Sequence, residues 1–108
     1  MSLFAEYLLE KTQDQIIEKT YGFITYSFQA DSCWIKDLYI KKEFRNMNKA
    51  TDLADEVAEV AKTFKLKKLL GSVIPSNKGS TESVKVLLAY GMKLDSATND
   101  FILFSKEI

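Results

Sequence analysis

The chain has 108 residues, with fifteen basic and fifteen acidic side chains, one cysteine, one proline and no histidine. That length is one ordinary domain, and 46 % hydrophobic with 12 % aromatic content supplies a core and excludes disorder. A lone cysteine excludes an internal disulfide, the missing histidine removes imidazole catalysis and the commonest zinc ligand, and zero net charge gives no overall pull toward nucleic acid or anionic membrane.

Leu3, Phe4, Tyr7 and Leu8 fall on one side of a helix that Ser2 can cap, and the polar stretch Lys11 to Asp14 ends it. Ile16 and Ile17 suggest a short strand. Tyr21 to Phe28, rich in aromatic and β-branched residues, predicts a longer one. A turn at Ala30, Asp31 and Ser32 joins it to a strand from Cys33 to Ile40, as an antiparallel hairpin. Simple alternation puts Trp34, Leu38 and Ile40 on one face of that strand and Ile35, Asp37 and Tyr39 on the other.

After the polar segment Lys41 to Asn48 comes the clearest helix, starting near Lys49. Leu53, Val57, Val60, Ala61 and Phe64 repeat at offsets of 4, 7, 8 and 11, while Ala50, Ala54 and Ala58 raise helix propensity. Asp52, Asp55, Glu56 and Glu59 occupy its first half and Lys62 and Lys65 its end, as the helix dipole prefers. Lys68 to Ile74 predicts a strand stopped by Pro75, and Ser76 to Gly79 a loop. Ser80 is placed to cap a helix carrying Val84, Leu87 and Leu88, which Gly91 ends. Met92 to Leu94 and Asp100 to Lys106 are the last strands, around a polar turn at Asp95 to Asn99.

The helix between Cys33–Ile40 and Lys68–Ile74 makes those two strands a parallel βαβ pair in an otherwise antiparallel sheet. The expectation is a single mixed α/β domain over residues 1–108. Glu6 and Glu10 with no basic leader argue against a signal peptide, and the apolar runs, such as Phe101 to Phe104, are far short of a membrane span. A cytoplasmic protein that engages neither membrane nor nucleic acid is the expectation, with a homodimer left open.

The strand ending at Ile40, the polar loop and the helix starting near Lys49 form a phosphate-binding geometry. Arg45, Asn46, Met47, Asn48, Lys49 and Ala50 bring backbone N–H groups and a helix N-terminus to the C-terminal end of a strand. Lys41, Lys42, Arg45 and Lys49 surround it with four positive charges, opposed locally only by Glu43. The competing reading is a solvated turn ahead of an amphipathic helix. Arg45 is the only arginine in the chain. Cys33 reads as a small buried hydrophobe rather than a nucleophile, because no histidine is available to activate it. Trp34 belongs either to the core or to a substrate wall.

Several of these segments carry a resemblance. Asp37-Leu-Tyr-Ile, Phe44-Arg-Asn-Met-Asn-Lys-Ala, the helix to Phe64, Leu69-Leu-Gly-Ser-Val-Ile-Pro and the helix ending Leu88-Ala-Tyr-Gly-Met together resemble a GNAT-superfamily acyl-CoA N-acyltransferase. The superfamily's loop pattern is Gln/Arg-x-x-Gly-x-Gly/Ala, and Arg45, Asn48 and Ala50 fall on its positions. Gly91-Met92 stands where the superfamily has Gly-Phe. The likeness runs from Ser32 to the C-terminus, with the preceding strand extending it. A single helix stands ahead of the first strand, where many members have two.

The resemblance implies a mostly antiparallel sheet whose central parallel pair splays to admit acyl-CoA, with helices on both faces. It implies acetyl-CoA as acyl donor and an amine as acceptor, with direct transfer and neither metal nor covalent enzyme intermediate. The backbone of Leu38, Tyr39 and Ile40 would bond the pantetheine arm, the N–H groups of Asn46 to Ala50 the pyrophosphate, and Asn77 the pantetheine again. Asp37 becomes a candidate general base, against its reading as a strand carboxylate paired with a lysine. Tyr39 lines an acceptor pocket or simply packs. Tyr90 becomes a candidate general acid, although the superfamily's tyrosine falls four residues before the glycine, where this chain has Leu87. Asn48 replaces the loop's first glycine, and asparagine tolerates a left-handed backbone. The alternatives are a catalytically degenerate GNAT-like module, acting through CoA or protein binding, and an unrelated α/β domain imitating the loop.

Overall fold

In a computed structural model, residues 2–108 are described, with Glu82 described by its backbone alone. The elements are α1 (Leu3–Thr12), β1 (Gln15–Lys19), β2 (Gly22–Gln29), β3 (Ser32–Ile40), α2 (Lys49–Thr63), β4 (Lys68–Val73), α3 (Ser80–Ala89), β5 (Lys93–Ala97) and β6 (Ile102–Glu107), with a 3-10 turn at Lys42–Phe44. They form one six-stranded sheet in the order β1-β2-β3-β4-β6-β5. Only β3 and β4 run parallel. Helix α2 crosses between them, as a parallel connection requires.

The β2–β3 hairpin turns tightly, because Gln29 pairs with Ser32 and Ala30 takes a left-handed φ of 55°. Midway the ladder slips: Thr25 faces Asp37, but Tyr26 faces Ile35, so Lys36 is a bulge. The slip corrects the alternation expected from sequence. Cys33 is buried on the face carrying Ile24, and across the bulge Ile35 and Leu38 line the same cleft beneath α2 and α3. Ile35 therefore leaves the face of Asp37 and Tyr39, because one inserted residue shifts the period-two pattern.

Helices cover both faces. On one, α2 lays Leu53, Ala54, Val57, Ala58 and Ala61 on the sheet, all buried, against Ile24, Tyr26, Cys33, Leu69 and Phe104. Its alanines are thus core contacts as well as helix formers. Phe64 stays largely exposed beyond the last turn, with its ring 5.4 Å from that of Phe28. On the other face α1 packs along β1 at the sheet's rim, with Phe4 meeting Phe23 edge-on. Ser2 caps α1 as expected, its Oγ accepting from the Ala5 N–H at 3.0 Å. The apolar stripe fares differently: Ala5 is buried while Leu3, Phe4 and Tyr7 stay exposed, since the helix meets only the sheet's edge.

Two helix ends follow their glycines. Gly91 takes φ 93°, letting the Met92 N–H reach back to the Leu87 carbonyl at 3.1 Å and close α3. At the other end Gly79, at φ 84°, is the N-cap. Ser80 lies inside the helix and donates its hydroxyl to the Pro75 carbonyl at 3.0 Å, so it ties down the preceding loop instead of capping. β5 runs further than sequence indicated, taking in Asp95, Ser96 and Ala97. It is an exposed edge strand whose pairing with β6 absorbs Asp95 as a bulge. The turn shortens accordingly, with the Thr98 hydroxyl accepting from the Asp100 and Phe101 N–H groups. Among the described residues no helix is long and apolar enough to cross a membrane.

Three outcomes are expected from this packing. Leu53→Ala removes a fully buried side chain and should cost about 2–5 kcal/mol in chemical denaturation, a large part of a small domain's stability. Gly22→Ala would drive a Cβ into the Tyr39 carbonyl across the hairpin, so a loss of about 1–3 kcal/mol is expected in the same assay. Burial pushes the Cys33 thiol up to about 12. Ellman's reagent should therefore leave it untouched in the native protein and titrate one thiol after unfolding.

Candidate active site

The parallel ladder between β3 and β4 is short. It pairs Ser32 with Lys68, Cys33 with Leu69, Trp34 with Leu70 and Ile35 with Gly71, and then stops. β3 continues along β2 to Ile40, and β4 along β6 to Val73. From Lys36 onward the two strands therefore belong to separate halves of the sheet, with an opening between them. The bulge at Lys36 sits at this point, and bulges increase local twist. The Asp37 N–H turns toward β2 and donates to Thr25 Oγ1 at 2.9 Å. By the alternation of a strand the Leu38 amide points the other way, into the opening.

The loop after β3 ends in two left-handed asparagines, Asn46 at φ 65° and Asn48 at φ 60°. Asparagine visits this region more readily than other non-glycine residues, so the loop keeps its turn without the glycine. Asn48 is the N-cap of α2 but gives it no side-chain hydrogen bond. Among the described residues the N–H groups of Asn46 to Thr51 have no protein acceptor, and the first bond of the helix runs from the Asp52 N–H to the Asn48 carbonyl. A row of unpaired donors with the positive end of the helix dipole thus stands at the mouth of the opening. Lys41, Lys42, Arg45 and Met47 are exposed there, and Lys49 and Ala50 are half-buried.

Arg45 folds back on the strand: its Nε donates to the Ile40 carbonyl at 3.0 Å, and its guanidinium lies 6.0 Å from the Tyr39 ring centre. Lys49 leans over Tyr21, with Nζ 4.9 Å from the ring centre. Asn77 stands on the β4 side of the opening. Its N–H donates to the Ile74 carbonyl and its own carbonyl accepts from Ser80, so its backbone is fixed in the turn.

The throat on the helix side is narrow and apolar. Ile24, Ile35, Leu38, Ala50, Thr51, Ala54, Leu87 and Tyr90 are among the residues lining a cleft of ≈ 20 Å³. Leu87 lies directly over Gly71, where the ladder ends, and a Cβ built there would be 3.3 Å from Leu87 Cδ2. Tyr90 turns toward α2 and donates its hydroxyl to Asp55 Oδ1 at 2.8 Å. Desolvation first, then the Asp55 hydrogen bond and charge, push its phenol well above the ordinary tyrosine range. Lys106 Nζ donates to the Tyr90 carbonyl at 3.1 Å and lies 4.1 Å from its ring centre. Asp37 is exposed on the opposite face of β3. The structure thus brings Leu38, Ala50, Leu87 and Tyr90 together and keeps Asp37 apart from Tyr90.

Three neighbours of these residues escaped the sequence reading. Thr25 holds the Asp37 amide, Phe23 packs on Tyr39 with ring centres 5.8 Å apart, and Asp55 holds Tyr90. The hairpin register pairs Phe23 with Tyr39 and Thr25 with Asp37, but the bulge that sets it has no local signature. The Asp55–Tyr90 pair spans 35 residues and exists only once α2 and α3 share a face.

Over residues 5–85 the chain matches the acetyltransferase (GNAT) family. No curated protein matches its sequence. Its fold is similar to that of the PaiA N-acetyltransferase of Thermoplasma acidophilum in complex with coenzyme A, with TM-score 0.76 and 17 % identity, covering 98 % of this chain and 69 % of that one. A GNAT family acetyltransferase from Elizabethkingia anophelis with acetyl-CoA bound gives 0.73 at 16 % identity, covering 99 % and 86 %. The IAA acetyltransferase of Bacillus cereus gives 0.73 at 12 %, covering 95 % and 84 %. Such identities carry the fold alone, whereas the sequence match extends over most of the chain. The chain belongs to the acetyltransferase (GNAT) family.

Proposed function

We propose that this domain transfers an acetyl group from acetyl-CoA directly to an amine. The observation that carries the reading is the end of the β3–β4 ladder at Ile35 and Gly71, which leaves an unpaired strand edge beside the uncapped N-terminus of α2. An extended amide-bearing arm fits the free edge as an added strand would, and a pyrophosphate fits the unpaired N–H groups. In this reading Leu38, Tyr39 and Ile40 hold the pantetheine by their backbones, with Asn77 from the β4 side. Asn46, Met47, Asn48, Lys49 and Ala50 hold the pyrophosphate through N–H groups, with Arg45 and Lys49 adding charge. Two of the structurally similar proteins were solved with coenzyme A or acetyl-CoA, which supports the same donor here.

The donor supplies a thioester, whose acetyl carbon bonds to the amine nitrogen as the carbon–sulfur bond breaks and the electron pair leaves on sulfur. Asp37 takes the proton that the ammonium must lose before its nitrogen can attack. Its position suits the task, because it is exposed on the face opposite α2 and α3 and its amide is held by Thr25. Tyr90 lines the donor side and serves as acid for the leaving sulfur only by releasing Asp55. One observation favours a second reading, in which the domain binds CoA without turnover: Leu87 occupies the throat and Tyr90 is engaged elsewhere.

Thermal unfolding with and without acetyl-CoA tests the donor. A ligand at a hundredfold excess over its Kd adds about 2.7 kcal/mol, worth about 4–8 °C for each kcal/mol in a domain of this size. An unchanged Tm at millimolar acetyl-CoA and at millimolar CoA overturns the reading. Arg45→Ala combined with Lys49→Ala should weaken CoA binding about tenfold or more, with the unliganded Tm little altered because Arg45 is exposed and Lys49 half-buried. Thiol release against a panel of amines then separates transfer from binding alone.

A further inference from the structure

We infer that the acceptor amine carries an aromatic group, and that Phe4, Phe23 and Tyr39 form the wall that selects it. The inference rests on the acetyl-transfer reading and adds the acceptor's chemical class. The two sides of the opening are unequal. On the helix side Leu38, Ala50, Thr51, Leu87 and Tyr90 leave a cleft of ≈ 20 Å³, too small for a second substrate. On the other side, among the described residues, α1 reaches the sheet at its β1–β2 end and leaves Asp37 and Tyr39 of β3 exposed, so the acceptor enters from there.

That side holds a continuous aromatic surface. The Phe23 and Tyr39 rings lie 5.8 Å apart at 32°, and Phe4 of α1 meets Phe23 edge-on at 6.4 Å and 74°. Tyr39 is 47 % exposed and Phe4 46 %, so much of the surface faces solvent. Asp37 and Thr25 form the next pair on this face, two residues along each strand. Among the described residues no cation lies within ion-pairing distance of the Asp37 carboxylate. Two residues along a strand span about 6.6 Å. A ring lying on Tyr39 and Phe23 would therefore reach Asp37 with its ammonium through a spacer of two carbons. Charge complementarity fixes the orientation: the cation goes to the carboxylate, and the ring goes to the rings, which favour offset or edge contacts. The Arg45 guanidinium, 6.0 Å from the Tyr39 ring centre, repels a cation placed on the rings instead. A polyamine or a lysine side chain would satisfy Asp37 and leave the wall unused.

Isothermal titration of the full chain with 2-phenylethylammonium, ethylammonium and butane-1,4-diammonium tests this without relying on turnover. The phenyl compound should bind about tenfold more tightly than ethylammonium, the gain expected from burying a ring on this wall. Tyr39→Leu should narrow that ratio about threefold. Phe4→Leu, on the exposed helix, should narrow it in the same direction without altering the strands. Asp37→Asn should weaken both monoamines. The inference is overturned if the phenyl and ethyl compounds bind within twofold of each other, if the diammonium binds most tightly, or if neither leucine variant changes the ratio. Failure of the transfer reading looks different: acetyl-CoA leaves Tm unmoved and releases no thiol, whatever the amines do.

Discussion

The structure turns on how far β3 is held on each side. Its pairing with β2 runs to Ile40, whereas its pairing with β4 ends at Ile35. A strand held along one edge and free along the other exposes unsatisfied backbone groups, which proteins ordinarily cover or blunt. Here the free edge lies inside the molecule, between two halves of a sheet that are each well paired. β4 is secured by β6 over its whole length, so the opening costs neither half its stability. The bulge at Lys36, with the Thr25 hydroxyl taking up the Asp37 amide, lets β3 change direction without leaving that amide unpaired.

The opening also gives the start of α2 its meaning. An uncapped helix N-terminus on an open surface is satisfied by water and does nothing further. Placed at the carboxyl end of a strand with a free edge, the same N–H groups stand beside the unpaired amides of that edge. The two asparagines at Asn46 and Asn48 make that placement accessible, because their left-handed conformations turn the chain sharply from the strand into the helix. Local charge follows the same geometry. The basic residues gather before the helix and the acidic ones along its first half, so a chain with no net charge still carries a local basic cluster.

Proton handling is the less regular part. Asp37 and Tyr90 lie on opposite faces of the sheet, which suits donor and acceptor arriving from opposite sides. Yet the Tyr90 hydroxyl is spent on Asp55, and the residue at the throat is Leu87, which has no proton to give. In the transfer we propose, proton removal therefore falls to Asp37, and the aromatic face of Phe23 and Tyr39 bears on which amine is presented.

Much of this was legible from residues alone. The periodicity of Leu53, Val57 and Ala61 identified α2, the β-branched and aromatic runs identified β2 and β3, and the βαβ order made β3 and β4 parallel neighbours. The loop Arg45 to Ala50 and its charge were likewise written in the local sequence, and the departure at Leu87 came from the resemblance to the GNAT superfamily. Tertiary structure alone decided the rest. The Lys36 bulge moved Ile35 off the Asp37 face, since one inserted residue reverses a period-two pattern and no residue type announces it. Whether Leu3, Phe4 and Tyr7 were buried depended on α1 meeting only the sheet's rim. Whether Tyr90 met Asp55 depended on two residues 35 apart in the chain being brought together by helices that share one face. Sequence determines local conformation through short-range sterics and periodicity. Which faces meet, and where a ladder stops, is set by packing between segments distant in the chain.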